Sequence, residues 1–178
     1  MKSIVLLVIV LVIPARGAES PTNAPARITF TDPDERYSVS HRSDWPIRRR
    51  GPSDAGIYSI TTPDGTGELS ISSVSGIQLP IPIPEEVLDS GFPDGHPQSG
   101  TRPFDRTDFD GLMRVYWVER ANGALDEVFG LVARRGELVV LITICDQRAG
   151  WNAHAFEYAQ ICLSLRLHDI PPATQPAR

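Results

Sequence analysis

Residues Leu138–Cys145 read Leu-Val-Val-Leu-Ile-Thr-Ile-Cys, a run that is nearly all apolar and rich in β-branched side chains. A strand of this composition is typical of one buried on both faces, so we place a strand from Glu137 to Cys145 inside a sheet. Two further strands precede it, at 112–120 and 125–133, with short turns between them. Three consecutive strands joined by short turns predict an antiparallel meander.

Four shorter strands are predicted upstream, where apolar and polar residues alternate. They lie at 27–31, 37–41, 57–62 and 67–74. The last two flank Pro63-Asp64-Gly65-Thr66, a sequence typical of a hairpin turn.

Helical patterns occur twice. A proline-rich excursion from Gly76 to Pro103 contains one short predicted helix, Glu85–Asp89. A longer helix is predicted from Asn152, as N-cap, to Leu163. Its apolar residues are spaced for one helical face: Ala155, Phe156, Ala159 and Leu163. A helix laid across one side of an antiparallel sheet makes the predicted class α+β.

The first 17 residues have the features of a secretory signal peptide. A basic start is followed by an unbroken Ile, Leu and Val run from Ile4 to Ile13, and then by Ala15-Arg16-Gly17. That run is too short to span a bilayer as a helix, and no cysteine lies near the cleavage point. We therefore expect a secreted or periplasmic protein without a stable membrane anchor. The remaining chain divides into a flexible segment (18–26), one domain (27–168) and a disordered Pro-rich tail (169–178).

Charge excludes several function classes. The chain has 22 acidic and 17 basic residues, and the mature form would be more acidic because Lys2 and Arg16 leave with the leader. This balance opposes nucleic-acid binding. Lys2 is the sole lysine, so no Schiff-base or Walker lysine is available.

Arg48-Arg49-Arg50 is interpreted as a solvated loop or, alternatively, a surface that binds a partner. Trp45 is interpreted as a core residue or part of a ligand groove.

The two cysteines are Cys145, at the end of the apolar strand, and Cys162, near the end of the last helix. In an oxidising compartment an even number of cysteines favours a disulfide, here one that would tie strand to helix. The alternative is two ordinary buried thiols.

The residue types of several active sites occur without the required spacing. His154 and Glu157 lie one helical turn apart and could share a metal, although a surface hydrogen bond is the simpler interpretation. Asp105, Asp108 and Asp110 resemble a calcium loop but lack its spacing and its final glutamate. No Gly-x-Ser-x-Gly nucleophile elbow is present. The sequence therefore predicts no cofactor, no metal and no catalytic residue.

The segment Tyr37-Ser38-Val39-Ser40-His41-Arg42-Ser43-Asp44-Trp45 resembles the signature that opens domains of the PsbP-like superfamily, an aromatic-x-Val/Ile-x-Tyr-Pro-x-x-Trp pattern. His41 and Arg42 replace its Tyr-Pro. The elements that follow this segment come in the family's order: a hairpin, an insert, the meander, the helix and the final Ser164-Leu165-Arg166. The resemblance covers about 28–167. It implies an α/β/α sandwich around a central antiparallel sheet, and binding or accessory roles without common catalytic residues.

Together these observations predict an exported, non-enzymatic binding or accessory domain. It would act through protein or small-ligand contacts in the cell envelope, with a protein partner there. Two alternatives stay open: a secreted hydrolase or metal-dependent enzyme, and an immunity-type protein.

Overall fold

The computed structural model describes residues 25–51, 56–92, 94–98, 100–104, 106–119, 123 and 125–169. The predicted signal peptide lies outside the described residues. So do 18–24 of the N-terminal segment, Asp105, and 170–178 of the tail.

These described residues form eleven strands and two helices. In chain order they are β1 (Arg27–Thr31), β2 (Tyr37–Arg42), β3 (Ile47–Arg50), β4 (Ile57–Thr61), β5 (Gly67–Val74), α1 (Glu85–Asp89), β6 (His96–Pro97), β7 (Arg102–Pro103), β8 (Asp110–Glu119), β9 (Leu125–Arg135), β10 (Leu138–Gln147), α2 (Arg148–Ser164) and β11 (Arg166–Leu167).

Eight of these strands form one antiparallel sheet in the order β3-β4-β5-β10-β9-β8-β6, with β7 also paired to β8. The apolar strand β10 lies between β5 and β9, as its composition predicts. The strands β1, β2 and β11 form a small second sheet, also antiparallel.

Each face of the main sheet carries its own hydrophobic cluster. Alternate residues of β10 point to opposite faces. Leu138, Val140, Ile142 and Ile144 belong to the larger cluster, together with residues of β2 and α2. Val139 and Leu141 belong to the smaller cluster, which contains Leu88 of α1. The helix α2 and the small sheet therefore pack on one face of the main sheet, and α1 packs on the other.

Ion pairs hold the short helix α1 against strand β8. The Arg114 side chain, which is buried, is paired with Glu85 and lies 2.7 Å from the Asp89 carboxylate. The Tyr116 hydroxyl donates to the same carboxylate at 2.9 Å. Burial first, and then this hydrogen bond, raise the pKa of Tyr116 to about 12.

The α+β class, the antiparallel sheet and the meander are confirmed, and β1, β5 and α1 have the predicted bounds. The segment predicted as an arginine-rich loop is instead strand β3. Within the proline-rich excursion, two short strands, β6 and β7, extend the sheet beyond β8.

The predicted buried face of the last helix is wrong. The residues of α2 that lie in the core are Tyr158, Ile161 and Cys162, whereas Phe156 and Leu163 are 66% and 50% exposed. The helix also begins four residues earlier than predicted, at Arg148, so Asn152 is not its N-cap.

The predicted disulfide between Cys145 and Cys162 is also wrong, since the two cysteines are not bonded. Cys162 lies in the larger cluster beneath α2. Cys145 alternates with Ile144, so its side chain points to the opposite face of the sheet, where the thiol lies 3.8 Å from Asp126. The sheet itself separates the two sulfurs. Burial raises the pKa of the Cys162 thiol to about 12.

Candidate functional site

An open cleft of about 270 Å³ lies between α2 and the β4–β5 hairpin. The lining residues come from the end of β2 and the loop after it, from the hairpin turn, and from the second and third turns of α2. They are Arg42, Trp45, Pro63, Asp64, Ala153, His154, Phe156 and Glu157. The hairpin turn predicted from Pro63-Asp64-Gly65-Thr66 is therefore one wall of the cleft.

His154 contacts a carboxylate through each ring nitrogen. Its Nδ1 lies 2.8 Å from Oδ2 of Asp146, and its Nε2 lies 3.5 Å from Oδ2 of Asp64. Asp146 is fully buried, whereas Asp64 is half exposed. The imidazole also packs at nearly a right angle to the Trp45 ring, with 5.6 Å between the ring centroids. His154 thus joins helix α2 to strand β10 on one side and to the hairpin turn on the other.

The buried Asp146 carboxylate also binds Tyr158. The Tyr158 hydroxyl donates to Oδ2 of Asp146 at 2.9 Å. Burial, and next this hydrogen bond, raise the pKa of Tyr158 above its usual range, so the hydroxyl keeps its proton and remains a donor. A charged or polar carboxyl group in a protein interior requires such partners.

Two glycines leave the space that this network occupies. A Cβ on Gly67 would lie 2.0 Å from the Tyr158 hydroxyl and 2.6 Å from Oδ2 of Asp146. A Cβ on Gly150, in the first turn of α2, would lie 2.4 Å from Oδ1 of Asp146. These distances are too short for any side chain, so both positions require glycine for close approach.

The Asp64 side chain is held in place by the turn that carries it. Its Oδ1 accepts hydrogen bonds from the Thr62 hydroxyl at 2.7 Å and from the backbone amide and hydroxyl of Thr66. These bonds, with that of Thr62 the strongest, lower the pKa of Asp64 to about 2. The cleft therefore presents a fixed negative charge across the physiological pH range.

The other charges of the cleft are paired locally. Glu157 accepts two hydrogen bonds from the Arg27 guanidinium, at 2.7 and 2.9 Å. Arg42 donates to Asp44 through two nitrogens. The hydrogen bonds from Arg42 lower the pKa of Asp44 and raise that of Arg42. Asp64 is thus the cleft charge that is best placed to meet a ligand.

Trp45 lies in the cleft wall but is only 2% exposed. Its ring packs edge-on against His154 and against Tyr158, at 5.4 Å from the latter. The indole is therefore almost fully buried, and it supports the His154 network from the core side.

Beside the cleft, the outward face of α2 is apolar. Phe156 and Leu163 are seven residues apart, which places them on one side of the helix, with the exposed Ala159 between them. We call these three residues the α2 outer face. Phe156 belongs both to this face and to the cleft, so the two surfaces are continuous.

The three arginines predicted as a binding surface lie elsewhere, on β3 at the edge of the main sheet. All three are exposed. Arg50 donates to the Ser59 hydroxyl and pairs with Glu68 at 2.9 Å. This edge and the cleft are separate surfaces.

The metal hypotheses gain no support from the geometry. His154 and Glu157 turn to different partners, Asp146 and Arg27. Asp108 and Asp110 each lie near an arginine, at 3.8 and 3.9 Å. Within the described ranges, no three His, Cys, Asp or Glu side chains are placed to hold an ion together. In the same ranges, no helix combines the length and the hydropathy needed to cross a bilayer.

These features define an antiparallel α+β domain with an open, polar cleft beside an apolar helix face. Its fold is the PsbP-like fold that the opening segment predicted. The chain resembles cyanobacterial PsbP (CyanoP) from Synechocystis, with a TM-score of 0.57 and 11% identity over 87% of this chain and 99% of the other.

Two further solved structures share the fold. LpqN of Mycobacterium tuberculosis, described as involved in cell envelope biogenesis, has a TM-score of 0.56 and 12% identity over 83% of this chain and 93% of that chain. A Bacteroides thetaiotaomicron protein has a TM-score of 0.58 and 15% identity over 79% of this chain, which spans only 48% of the other. No protein-family model matches the sequence, and no curated protein matches it.

Proposed function

We propose that this chain is an exported, non-enzymatic accessory domain that acts through protein contacts in the cell envelope, in the periplasm or outside the cell. The signal-like leader supports export. The similarity to LpqN and to CyanoP, which the chain matches over nearly their whole length, supports a single accessory domain of this type. We also propose that the layers of this domain form an α/β/α sandwich, with α1 and α2 as the outer helices.

The observation that carries the proposal is the α2 outer face. A helix packed on a sheet normally turns its apolar side inward, yet Phe156 and Leu163 point to solvent. Large apolar side chains grouped at the surface and rimmed by polar residues mark contact sites. Phe156 also borders the cleft, so a partner that covers the helix face would enter the cleft as well.

The chemistry of the cleft specifies the partner. Asp64 is ionised and half exposed, while the neighbouring Glu157 and Arg42 are already paired. A partner surface with an apolar side chain against Phe156 and a lysine or arginine against Asp64 would match both features. We therefore propose a partner protein with a basic, partly apolar contact segment.

The environment of His154 favours binding over hydrolysis. A serine or cysteine hydrolase needs its nucleophile within hydrogen-bond reach of the base. Among the described residues, the polar groups that contact His154 are the carboxylates of Asp146 and Asp64. In the described part of the chain no Ser, Thr or Cys side chain is hydrogen-bonded to His154.

Photo-crosslinking in the source cells tests the proposal. Benzoylphenylalanine is placed at position 156 and, as a matched control, at exposed position 77 in the segment after β5. We expect a discrete protein adduct from position 156 only, with a lower yield in the Asp64→Asn protein. The same proteins are assayed with generic ester and phosphate substrates. Turnover that His154→Gln abolishes, without any adduct at position 156, would support the hydrolase alternative instead.

An immunity-type role is a narrower form of the same proposal. Its partner would be a toxin, and the mass of the adduct from position 156 would identify it.

A further inference from the structure

Strand β3, at the edge of the main sheet, carries charges that are not part of the cleft or of the α2 outer face. Arg50 is paired with Glu68, but Arg48 and Arg49 form no hydrogen bond or ion pair with any described residue. In an acidic protein, two neighbouring arginines without carboxylate partners form a local basic site. Their placement on a strand at the sheet edge adds a second kind of binding group, the backbone.

The hydrogen-bond pattern shows which backbone groups face outward. The Thr61 amide donates to the Pro46 carbonyl at 3.1 Å, so these two residues form a hydrogen-bonded pair. Such pairs alternate along an antiparallel ladder. Arg48 and Arg50 therefore direct their backbone groups to β4, and Ile47 and Arg49 direct theirs away from the sheet. No described strand occupies the outer side of β3.

The two arginine side chains point to opposite faces of the sheet. Arg48 is in register with Ser59 and Arg49 with Tyr58, whose ring belongs to the larger hydrophobic cluster. A strand added beside β3 would place one residue opposite each arginine. Two consecutive acidic residues in that strand would therefore meet Arg48 on one face and Arg49 on the other.

We propose that β3 is the docking edge for an extended segment of a partner protein that carries two consecutive acidic residues. The segment would add a strand to the main sheet, with main-chain hydrogen bonds to Ile47 and Arg49. A second copy of this chain is a poor occupant because pairing β3 with itself would bring arginines together. This contact is independent of the α2 outer face, and either can fail without the other.

The test uses the exported protein, labelled with ¹⁵N, and the capped peptide Val-Thr-Glu-Glu-Thr-Val. We expect the amide signals of Ile47 and Arg49 to shift and their hydrogen exchange to slow. A matched peptide with Lys-Lys in place of Glu-Glu should bind at least about tenfold more weakly. The double variant Arg48→Glu, Arg49→Glu should lose binding by a similar factor. Arg102→Glu, at an exposed arginine of β7, should not.

N-methylated forms of the peptide distinguish backbone pairing with β3 from simple charge attraction to its arginines. Two versions of the peptide carry N-methyl groups on complementary sets of alternate residues. Because only alternate amides of an added strand face β3, one version should fail to bind and the other should bind. Four results would each overturn the proposal. They are equal binding of the two N-methylated versions, binding of the Lys-Lys peptide equal to that of the Glu-Glu peptide, no binding of any peptide, and amide shifts confined to α2. None of these results would alter the outcome of crosslinking at position 156.

Discussion

The His154 Nδ1 atom lies 2.8 Å from Oδ2 of the fully buried Asp146, eight residues earlier in the chain. The pair spans the junction of β10 and α2, and Tyr158 binds the same carboxylate oxygen. This geometry makes Asp146 the residue that orients the start of α2 and its cleft-facing side chains.

Replacing Asp146 by asparagine should destabilise the protein. Tyr158 and His154 bind the same oxygen of Asp146, which the amide oxygen can replace. The NH₂ group would take the place of Oδ1, which is buried and has no hydrogen-bond partner among the described residues, so this donor would be left without an acceptor. We expect a loss of about 1–3 kcal/mol in the free energy of unfolding, measured by urea denaturation. Asp94→Asn, at an exposed site, is the control. Equal stability of the two variants would contradict this account of the network.

The network should not tolerate a methyl group at position 67. A Cβ at Gly67 would lie 2.0 Å from the Tyr158 hydroxyl, so Gly67→Ala must displace Tyr158, Asp146 or β5. We expect a loss of about 1–3 kcal/mol from overpacking. Gly100→Ala, which would meet no atom within 4 Å, should leave the unfolding midpoint nearly unchanged. A wild-type midpoint for Gly67→Ala would show that the hydroxyl and carboxylate are not packed there.

Asp64 should make the free energy of unfolding depend on pH in the acid range. Its pKa falls from 3.8 in the unfolded chain to about 2 in the fold, so the folded state favours the ionised form. This stabilisation is present above about pH 4 and is lost as the pH falls towards 2. Thermal unfolding of Asp64→Asn should therefore differ from the parent at pH 7 and converge with it near pH 2. Asp94→Asn should follow the parent throughout, and a constant difference for Asp64→Asn would refute the shift.

The two thiols should differ in reactivity and should not be bonded to each other. Cys145 is exposed, whereas Cys162 is buried in the core with its thiol pKa raised to about 12. Ellman's reagent should titrate Cys145 in the native protein and both cysteines after denaturation without reductant. Cys145→Ser should remove the native signal alone. A denatured, unreduced protein with no reactive thiol would restore the disulfide hypothesis.

The sequence was sufficient for the meander and the hairpin because their signals are local. The run at 138–145 is apolar on both faces, and the turn at 63–66 has the residues that a hairpin requires. The same double-sided pattern hides which face Cys145 occupies, and the disulfide prediction failed for that reason.

The α2 face was mispredicted because its buried side is partly polar. Glu157 and Tyr158 look like solvent-facing residues until their partners, Arg27 and Asp146, are brought beside them by the fold. Strand β3 was missed because three arginines after a proline resemble a loop, and only pairing with β4 makes them a strand.

The cleft itself was outside the reach of sequence patterns. His154 was noted for its spacing from Glu157, yet its partners are Asp146 and Asp64, which come from β10 and a hairpin turn. Asp146 lies two residues before the first residue of α2, and helix starts favour nearby negative charge, which was the available signal for it.

The central claim is that the α2 outer face meets a protein partner, and a crosslink from position 163 tests it most directly. Phe156 and Leu163 are about 10 Å apart along the helix, so one partner should cover both. With benzoylphenylalanine at position 163, we predict an adduct that Phe156→Asp abolishes and that Ile81→Asp, at another exposed apolar residue, leaves intact. An adduct yield that Phe156→Asp does not change, or no adduct at all, would contradict the claim.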